Sequence, residues 1–438
     1  MYEWSPVFQW LMSIKREYIE KFGDNNLFGA GEYRSFVNKW ITALYGCDKS
    51  NVNMRLLRCL IINTKGAVVN LHYNTIAISK TCKSVFSDMS TYEAYASLWK
   101  LNDGFLQKCR SICVDLMNDE IVIAAYDKFF NINEMPWTKL EYVMDEISGE
   151  MEREESVRVL ELSEKLDGSF IAVSWHFSQN GLAVSSSGDF NDEENKHIGI
   201  AREYLNAGIT QMITENKDLT FMFELLDPRI PVVVRYPDEM RGLHLIGVRS
   251  KNTGETYTYS HMGELGMFYG VRSVPSYRLI DMNSLIERAA KASGVEGWVL
   301  NISGRRYKLK CVEYLNFSHI LAGDIVGANV IKCYCENTAD DFIARLSQDI
   351  AAEFFDKLDL VKKYEEQMLE SLDEYYRRAD RSSRAAFAKW CVREGVSGLS
   401  LMNMFRLYEG KQPNVLYAAI GKERKYIKLS EVEQYFNK

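Results

Sequence analysis

Segments typical of β-strands fill the middle of the sequence and stop near residue 335, and this division limits the folds open to the chain. From Arg110 to about Lys310, short runs of β-branched and aromatic residues alternate with turn residues. From Asp340 to Lys438, residues that favour helices follow helical spacing with few breakers. The pattern predicts an α+β body followed by a helical C-terminal domain.

The same patterns predict the organisation of the rest of the chain. Residues 1–50 carry apolar residues at helical spacing, and 56–79 contain two strand-like stretches joined by a Lys-Gly turn. Helical patterns interrupt the strand-rich region at roughly 192–216 and 283–293. We predict three domains: an N-terminal extension over 1–90 that packs on the next domain, a second domain over 91–335, and a C-terminal domain over 336–438.

The composition is that of an ordinary globular protein, with 47% hydrophobic and 26% charged residues. No apolar run is long enough to span a bilayer and the N-terminus lacks a signal-peptide layout, so we predict a cytoplasmic protein. Six dispersed histidines argue against a metallohydrolase with imidazole ligands, and the nine scattered cysteines are interpreted as reduced thiols. The net charge of −7 does not decide nucleic-acid binding, because local clusters of cations bind phosphates.

One short segment, 164–169, carries a candidate nucleophile. Its Asp-Gly pair predicts a turn, which presents the Lys165 amine at the mouth of a sheet. A lysine amine is a suitable nucleophile when nearby cations or desolvation lower its pKa. The alternative is a solvated hairpin turn, because so short a motif is a weak signal alone.

Further charged residues follow in order, each inside or at the end of a strand-like segment. The segments are 221–224, 243–249, 295–299 and 307–310. Together with the lysine they offer one nucleophile, two carboxylates for sugar hydroxyls and a metal ion, and two cations for phosphate oxygens. Nucleotidyl transfer needs this set of groups, because catalysis of phosphoryl chemistry is mostly positioning and charge stabilisation.

This ordered series resembles the covalent nucleotidyltransferase superfamily of ligases and capping enzymes, and most closely the RNA ligase 1 family of T-even phages. Segments 109–112 and 127–134 look like the family's CRG and KFFN-x-NE elements, and 380–381 and 407–410 are similar to parts of its C-terminal domain. The similarity covers roughly residues 90–438. It implies a nucleotidyltransferase domain of the ATP-dependent ligase (ATP-grasp-like) type, with antiparallel sheets and helices, and an all-helical C-terminal RNA-specificity domain.

The resemblance assigns roles to residues that match its motifs. Lys165 would form the phosphoramide bond to AMP, and Gly168 would allow close approach of the nucleotide. Arg110 and Lys128 would contact the triphosphate and later the RNA 5′-phosphate, and Glu224 would bind the ribose hydroxyl. The alternatives are surface charges for the two cations and a half-exposed strand carboxylate for Glu224.

The resemblance extends to the α-phosphate and the adenine. Lys308 and Lys310 would contact the α-phosphate and promote the departure of pyrophosphate. Phe130 would pack near the adenine, and a plain core position is an equal alternative.

The metal site that the resemblance implies has three candidate ligands. Glu296 is one, and Asp340 and Asp341 look like the family's metal-associated pair. Alternatively, Glu296 is a half-exposed strand carboxylate, and the two aspartates form a charge pair at the N-terminus of a helix. The implied cofactors are ATP and Mg²⁺, and Mn²⁺ is an alternative ion.

Two positions depart from the family pattern. Ser187 stands where the family tends to have a basic residue, and serine can donate a hydrogen bond to a phosphate but cannot neutralise it. The family's N-terminal tyrosine, which contacts the nucleotide, has two candidate counterparts, Tyr92 and Tyr95. We therefore expect nucleotide affinity or the balance of steps to differ from the family's.

A basic stretch in the C-terminal domain is a candidate RNA contact. Arg377, Arg381 and Arg384 follow i, i+4, i+7 spacing and would form one face of the predicted helix. The resemblance implies that the RNA is a tRNA. The alternative is a solvated face that pairs with nearby acidic residues such as Asp373.

The resemblance implies an ATP-dependent RNA ligase that joins 5′-phosphate and 3′-hydroxyl ends through lysyl-AMP and RNA-adenylate intermediates. It also implies repair of nicked tRNA, a separate end-healing kinase-phosphatase, and a phage-encoded protein in the host cytoplasm. DNA ligation and mRNA capping are the alternatives among enzymes, and the predicted helical tail in place of an OB domain argues against both. A non-catalytic RNA-binding relative is the third alternative, against which the intact charged motifs speak.

Overall fold

The structure is a computed structural model, and the chain divides in it into two compact units, Met1–Phe317 and Ser318–Lys438. The described residues are 2–24, 27–29, 35–46, 51–75, 77–78, 81–82, 89, 91–155, 158–191, 194–230, 234, 236–279, 281–311, 326–336, 348–420 and 423–436. Among them, no helix has the length and apolar character needed to cross a membrane. The domain boundaries at 90/91 and 335/336 stay predictions.

The first unit contains three four-stranded sheets whose named strands pair antiparallel. The first sheet has the order β1-β2-β3-β4, the second β7-β6-β8-β9 and the third β10-β5-β11-β12. Their bounds are β1 Leu60–Lys65, β2 Val68–Tyr73, β3 Arg110–Asp115, β4 Glu120–Ala124, β5 Leu160–Lys165, β6 Ser169–His176, β7 Gly181–Ser186, β8 Leu219–Leu226, β9 Gly242–Ser250, β10 Ser276–Arg278, β11 Gly297–Ile302 and β12 Arg305–Lys310. The first sheet thus combines two strands from the first ninety residues with two from the segment after them.

Helices cover the sheets of the first unit. Their bounds are α1 Pro6–Phe22, α2 Phe36–Tyr45, α3 Val52–Arg58, α4 Thr91–Lys108, α5 Leu140–Met151, α6 Lys196–Glu203, α7 Ala207–Glu215, α8 Tyr259–Tyr269 and α9 Met282–Lys291. The backbone of α4 is not helical at residues 101–104. The single helical pattern at 192–216 proves to be two helices, because the side chain of Asn206 accepts from the N–H of Ile209 and caps a new helix.

The core of the first unit lies on both faces of the first and second sheets. Val68 and Cys113 of the first sheet pack with Ala172 and Met222 of the second in one buried cluster. The opposite face of the first sheet packs against α1, α2 and α4. The opposite face of the second sheet packs against α6, α7 and α8, and the third sheet packs against α5 and α9. The strand ends that carry the charged motifs are therefore fixed by buried apolar contacts.

The second unit is mainly helical, which confirms the α+β prediction with a helical C-terminal region. Its described elements are α10 Val326–Glu336, α11 Gln348–Arg378, α12 Arg384–Arg393, α13 Gly398–Tyr408, the hairpin of β13 Tyr417–Ile420 and β14 Glu423–Tyr426, and α14 Leu429–Phe436. The hairpin is an addition to the all-helical domain expected from the sequence. Its two strands have only four residues each, so their alternation is too short to stand out from a helical pattern.

The predicted basic face on one continuous helix is wrong. Helix α11 ends at Arg378, and Ser383 caps α12 by accepting from the N–H of Ala386. Arg377 therefore lies on α11, Arg381 lies in the connection after it, and Arg384 begins α12. The helical spacing that placed them on one face does not apply across that break.

Candidate active site

Three strands of the third sheet bring the candidate nucleophile to the glutamate and the second lysine of later motifs. In the strand register, Gly297 of β11 lies opposite both Lys165 of β5 and Lys310 of β12. A Cβ atom at Gly297 would lie 2.1 Å from the carbonyl oxygen of Leu309, and its φ of +148° is one that other residues rarely adopt. Glycine is therefore required for the strands to approach, and Glu296 lies directly before it.

The carboxylate of Glu296 contacts two ammonium groups. Its Oε2 lies 2.6 Å from Lys165 Nζ, and its Oε1 lies 3.0 Å from Lys310 Nζ. The side chains of Glu296 and Lys310 are 2% and 4% exposed, whereas that of Lys165 is 22% exposed. Of these three groups, the amine of Lys165 is thus the one that a ligand can approach most easily.

Glu224 lies beside this group, on β8 of the second sheet. Its Oε1 accepts a hydrogen bond from the backbone N–H of Gly168 at 3.1 Å. A Cβ atom at Gly168 would lie 2.5 Å from the carbonyl oxygen of Leu225, so the turn after Lys165 packs tightly against β8. Burial raises the pKa of the Glu224 carboxyl to about 8, Lys165 opposes this shift, and Glu296 adds to it.

The turn between Lys165 and Gly168 is also held from outside the motif. The backbone N–H of Asp167 donates to the hydroxyl of Tyr236 at 2.7 Å, and the Asp167 carboxylate accepts from the N–H of Val234 at 3.0 Å. Burial raises the pKa of Tyr236, and the negative charge of Asp167 adds to this rise. Tyr236 was not predicted from the sequence, because the hydrogen bond that it accepts from Asp167 joins residues 69 positions apart and no local pattern marks it.

Two of the predicted site cations, Arg110 and Lys308, lie beside the same aromatic ring, that of Phe129, which was not among the predicted site residues. The guanidinium of Arg110 lies 5.4 Å from the ring centroid of Phe129 and 5.1 Å from that of Phe170. The ammonium of Lys308 lies 5.0 Å from the same Phe129 ring. Cations over aromatic faces are attracted by the ring quadrupole, so Phe129 helps to hold both charges in place.

Phe130 has the core position that was the alternative to a contact with adenine. It is 2% exposed and packs against Trp99 and Trp137. The ammonium of Lys128, also buried, lies 5.5 Å from the Phe130 ring. Successive side chains of an extended segment point to opposite sides, so Phe129 faces Arg110 and Lys308 whereas Phe130 lies on the side of Lys128.

The backbone joins this aromatic segment to the last lysine motif. The N–H of Lys308 donates to the carbonyl of Phe130 at 3.0 Å, and the N–H of Ile132 donates to the carbonyl of Lys308 at 2.9 Å. The segment around Phe130 therefore runs beside β12. The structure thus brings together Arg110 with Lys308, and Lys165 with Glu224, Glu296 and Lys310. The positive charge of Arg110 also acts on Glu224, so the two groups adjoin.

The two positions that depart from the family pattern lie as follows. Ser187 is exposed after the end of β7, and its carbonyl accepts from the hydroxyl of Ser111 at 3.0 Å. Tyr92 is 42% exposed and its hydroxyl donates to the carbonyl of Glu134 at 3.1 Å. Tyr95 packs against the core formed with α1 and α2. The choice between the two tyrosines stays open.

The remaining candidates lie outside the described residues or in the second unit. Asp340 and Asp341 lie outside the described residues, so the predicted aspartate pair stays a prediction. Arg377 forms an ion pair with Asp373, and Arg384 lies 3.3 Å from Glu409. These ion pairs match the alternative of a solvated, charge-paired surface, and the RNA contact stays a prediction.

Comparison with known proteins gives a family for the region that holds the candidate site. Residues 108–314 match the family model described as RNA ligase, and this match confirms the family resemblance over those residues. A comparison with curated proteins finds no match.

Solved RNA ligase structures are similar to the chain at low identity. A Naegleria gruberi RNA ligase with PPi is 18% identical, with 36% of this chain and 51% of that chain covered and a TM-score of 0.31. A lysine-to-alanine mutant of that ligase with ATP and Mn is 17% identical, with 44% and 58% covered and a TM-score of 0.34. An archaeal ATP-dependent RNA ligase is 16% identical, with 91% and 98% covered and a TM-score of 0.44. The chain spans about half the length of the Naegleria structures.

Proposed function

We propose that the protein is an ATP-dependent RNA ligase that joins 5′-phosphate and 3′-hydroxyl RNA ends. The observation that carries the proposal is the group formed by Lys165, Glu296 and Lys310, with Glu224 beside it. All four residues lie within 108–314, the region that matches the RNA ligase family. A buried carboxylate held between two amines, one of them accessible, supplies an oriented nucleophile and a fixed positive charge.

The first step would transfer AMP to the enzyme. The Lys165 amine, once it has lost its proton, attacks the α-phosphorus of ATP, a phosphorus–nitrogen bond forms, and the bond to pyrophosphate breaks. Lys310 and Lys308 would stabilise the negative charge that builds up on the phosphate oxygens. The AMP then passes to an RNA 5′-phosphate, and an RNA 3′-hydroxyl displaces AMP in the last step.

The rest of the nucleotide would be held by the residues around this group. Arg110 and Lys128 would contact the phosphates, Gly168 would let the nucleotide approach, and Glu224 would bind a ribose hydroxyl. The aromatic residue nearest the cations is Phe129, which lies 5.4 Å from Arg110 and 5.0 Å from Lys308. We therefore propose Phe129, in addition to Phe130, as a candidate for contact with the nucleotide.

A divalent cation fits the donor set of the site. The carboxylate of Glu296 is a hard oxygen ligand of the kind that Mg²⁺ and Mn²⁺ prefer, and Asp340 and Asp341 are further candidates. When bound, such an ion would neutralise phosphate charge. The Naegleria gruberi RNA ligase was solved with ATP and Mn and with AMP and Mn, which supports the choice of cofactors.

The proposed substrate is a nicked tRNA in a repair reaction. This part of the proposal rests on the resemblance to the RNA ligase 1 family of T-even phages, and it includes a separate kinase-phosphatase that prepares the ends. It also includes a phage origin, with the protein in the host cytoplasm. Nicked tRNA, linear single-stranded RNA and nicked DNA, each with a 5′-phosphate and a 3′-hydroxyl, should be joined in that order of efficiency. Preference for nicked DNA would contradict the RNA part of the proposal.

The decisive experiment asks whether AMP becomes bonded to Lys165. The protein is incubated with Mg²⁺ and ATP or GTP labelled at the α-phosphate, and the acid-labile label on the polypeptide is measured. We expect label from ATP alone and none in Lys165→Ala, while Lys139→Ala, at a 58% exposed lysine, keeps it. Label from GTP would indicate capping chemistry. Absence of label with either nucleotide would reject the proposed function.

A further inference from the structure

A second cluster of ionisable side chains lies away from the candidate active site. Asp115, Glu120 and His176 are 3%, 7% and 1% exposed. One ligand atom from each of the three lies within 4.8 Å of the other two. The His176 Nε2 atom is 3.1 Å from Asp115 Oδ2 and 3.8 Å from Glu120 Oε2. Two carboxylates and an imidazole thus converge on one buried point.

The distances within the cluster suit a metal ion. Bonds of about 2.0–2.2 Å to nitrogen and oxygen in a tetrahedral site place the ligand atoms roughly 3.3–3.6 Å apart. The separations of 3.1 Å and 3.8 Å between His176 and the two carboxylates bracket that range, and the carboxylates lie within 4.8 Å of each other. The hydroxyl of Ser178 lies at hydrogen-bond distance from both groups, 2.8 Å from Asp115 Oδ2 and 2.9 Å from His176 Nε2, so it can orient a water that supplies a fourth ligand.

Backbone groups orient both carboxylates independently of each other. Asp115 Oδ1 accepts from the N–H of Met117 at 2.9 Å, and Oδ2, which faces His176, also accepts from the side-chain amide of Asn118 at 2.8 Å. Glu120 Oε1 accepts from the N–H of Phe177 at 2.9 Å. Such outer contacts are what fix ligands in metal sites. The Nδ1 atom of His176 has no hydrogen-bond partner among the described residues, so the polar contacts of the ring are made by Nε2, on the side of the cluster.

The cluster has an entry path and an excess of negative charge. A surface pocket of about 420 Å³ is lined by Glu120 and Ser178 and by Asn118 next to the cluster. Lys251 interacts with Glu120, but its ammonium donates to the carbonyl of Trp175 at 2.7 Å. Two buried carboxylates against this one cation leave one negative charge, which favours the entry of a further cation.

We propose that Asp115, Glu120 and His176 bind a divalent cation of the Zn²⁺ class, separate from the nucleotide site. One imidazole with two carboxylates favours Zn²⁺ and neighbouring transition ions over Mg²⁺ and Ca²⁺, which prefer oxygen ligands alone. The proposal does not depend on the proposed ligase function.

The position of the cluster indicates a structural role. Asp115 and Glu120 flank the turn between β3 and β4 of the first sheet, and His176 ends β6 of the second. Arg110 and Phe170, which contact each other, lie near the other ends of β3 and β6, so the cluster is roughly 16–20 Å from them at 3.3 Å per residue. A bound ion would fasten the two sheets at the end opposite the candidate active site.

The test measures metal binding directly. The full chain is stripped of metal with a chelator, returned to buffer with excess Mg²⁺, and titrated with Zn²⁺ by calorimetry. We expect one equivalent of tight binding, and with Co²⁺ a visible absorption spectrum typical of a tetrahedral site. X-ray absorption of the Zn²⁺ form should show nitrogen and oxygen ligands with a single imidazole. This measurement uses the wild-type chain, so it does not depend on whether a variant folds.

Variants locate the ion. His176→Gln and Glu120→Gln should weaken Zn²⁺ binding by at least about tenfold. Asp119→Asn is the matched control, because Asp119 lines the same pocket, lies outside the cluster, and has a φ of +51° that asparagine tolerates. The proposal is overturned if the wild-type chain takes up no stoichiometric Zn²⁺, or if both glutamine variants bind it as the wild type does. The three side chains would then form only a hydrogen-bonded link between sheets.

Discussion

At the scale of single residues, the two glutamates of the candidate site have different electrostatic surroundings. Glu296 contacts two ammonium groups, whereas Glu224 accepts a hydrogen bond from the neutral backbone N–H of Gly168. Burial raises the pKa of Glu224 to about 8, so this carboxyl keeps its proton over much of the neutral range. A protonated carboxyl can donate a hydrogen bond, which suits a contact with a ribose oxygen.

The raised pKa of Glu224 predicts a particular dependence of stability on pH. An unfolded glutamate ionises near pH 4.5, and the folded one near 8. Between those values the unfolded chain has lost a proton that the folded chain keeps. Glu224 therefore makes the free energy of unfolding fall as pH rises, by up to about 1.4 kcal/mol per pH unit. Glu224→Gln should remove that slope.

Urea unfolding between about pH 5 and 10 checks this prediction. The wild type should lose stability relative to Glu224→Gln as pH rises, and the difference should level off above the folded pKa of about 8. Glu264→Gln, at an exposed position on α8, is the control and should follow the wild type. If the free energy of unfolding changed with pH in the same way for the wild type and Glu224→Gln, the Glu224 carboxyl of the folded chain would be ionised throughout this range, and the prediction would be wrong.

At the scale of elements, the candidate site depends on the close approach of β11 to its neighbours. Gly297 lies opposite Lys165 on one side and Lys310 on the other. A side chain there would meet the carbonyl of Leu309 at 2.1 Å, and backbone of a paired strand cannot move aside alone. The glycine therefore sets the distance between the two lysines and Glu296.

We expect Gly297→Ala to separate β11 from β12 and to lower stability by about 2–4 kcal/mol, as other changes that strain backbone do. Gly149→Ala is the control, since a Cβ atom there meets nothing within 4 Å and its helical position favours alanine. Thermal unfolding and AMP labelling of both variants give the measurement. Equal stability of Gly297→Ala and wild type would mean that the strands adapt without strain.

The sequence predicted elements better than the contacts between them. Short runs of β-branched and aromatic residues located strands such as β6 and β8, because that signal is local. The break between α11 and α12 was missed, because a capping serine resembles any other serine inside a charged helical pattern. Phe129 and Tyr236 were missed because their importance comes from partners distant in sequence.

At the scale of the whole molecule, the net charge of −7 coexists with cations at defined places. In the first unit, Lys308 and Lys310 are buried; Lys308 lies beside an aromatic ring and Lys310 contacts a carboxylate. In the second unit, Arg384 is exposed and pairs with Glu409. Buried cations suit one phosphate at a fixed position, whereas exposed arginines suit a longer polyanion whose phosphates compete with the carboxylates.

The exposed arginines give the last prediction, which concerns tRNA. Arg381→Glu and Arg384→Glu should each weaken tRNA binding and lower the slope of log affinity against log salt by about one per lost phosphate contact. Lys363→Glu changes the charge of the second unit equally, at a 62% exposed position on α11, and should have the smaller effect. Filter binding across a salt series provides the comparison. If all three variants lose affinity equally, the arginines act only through overall charge and make no specific contact with the RNA.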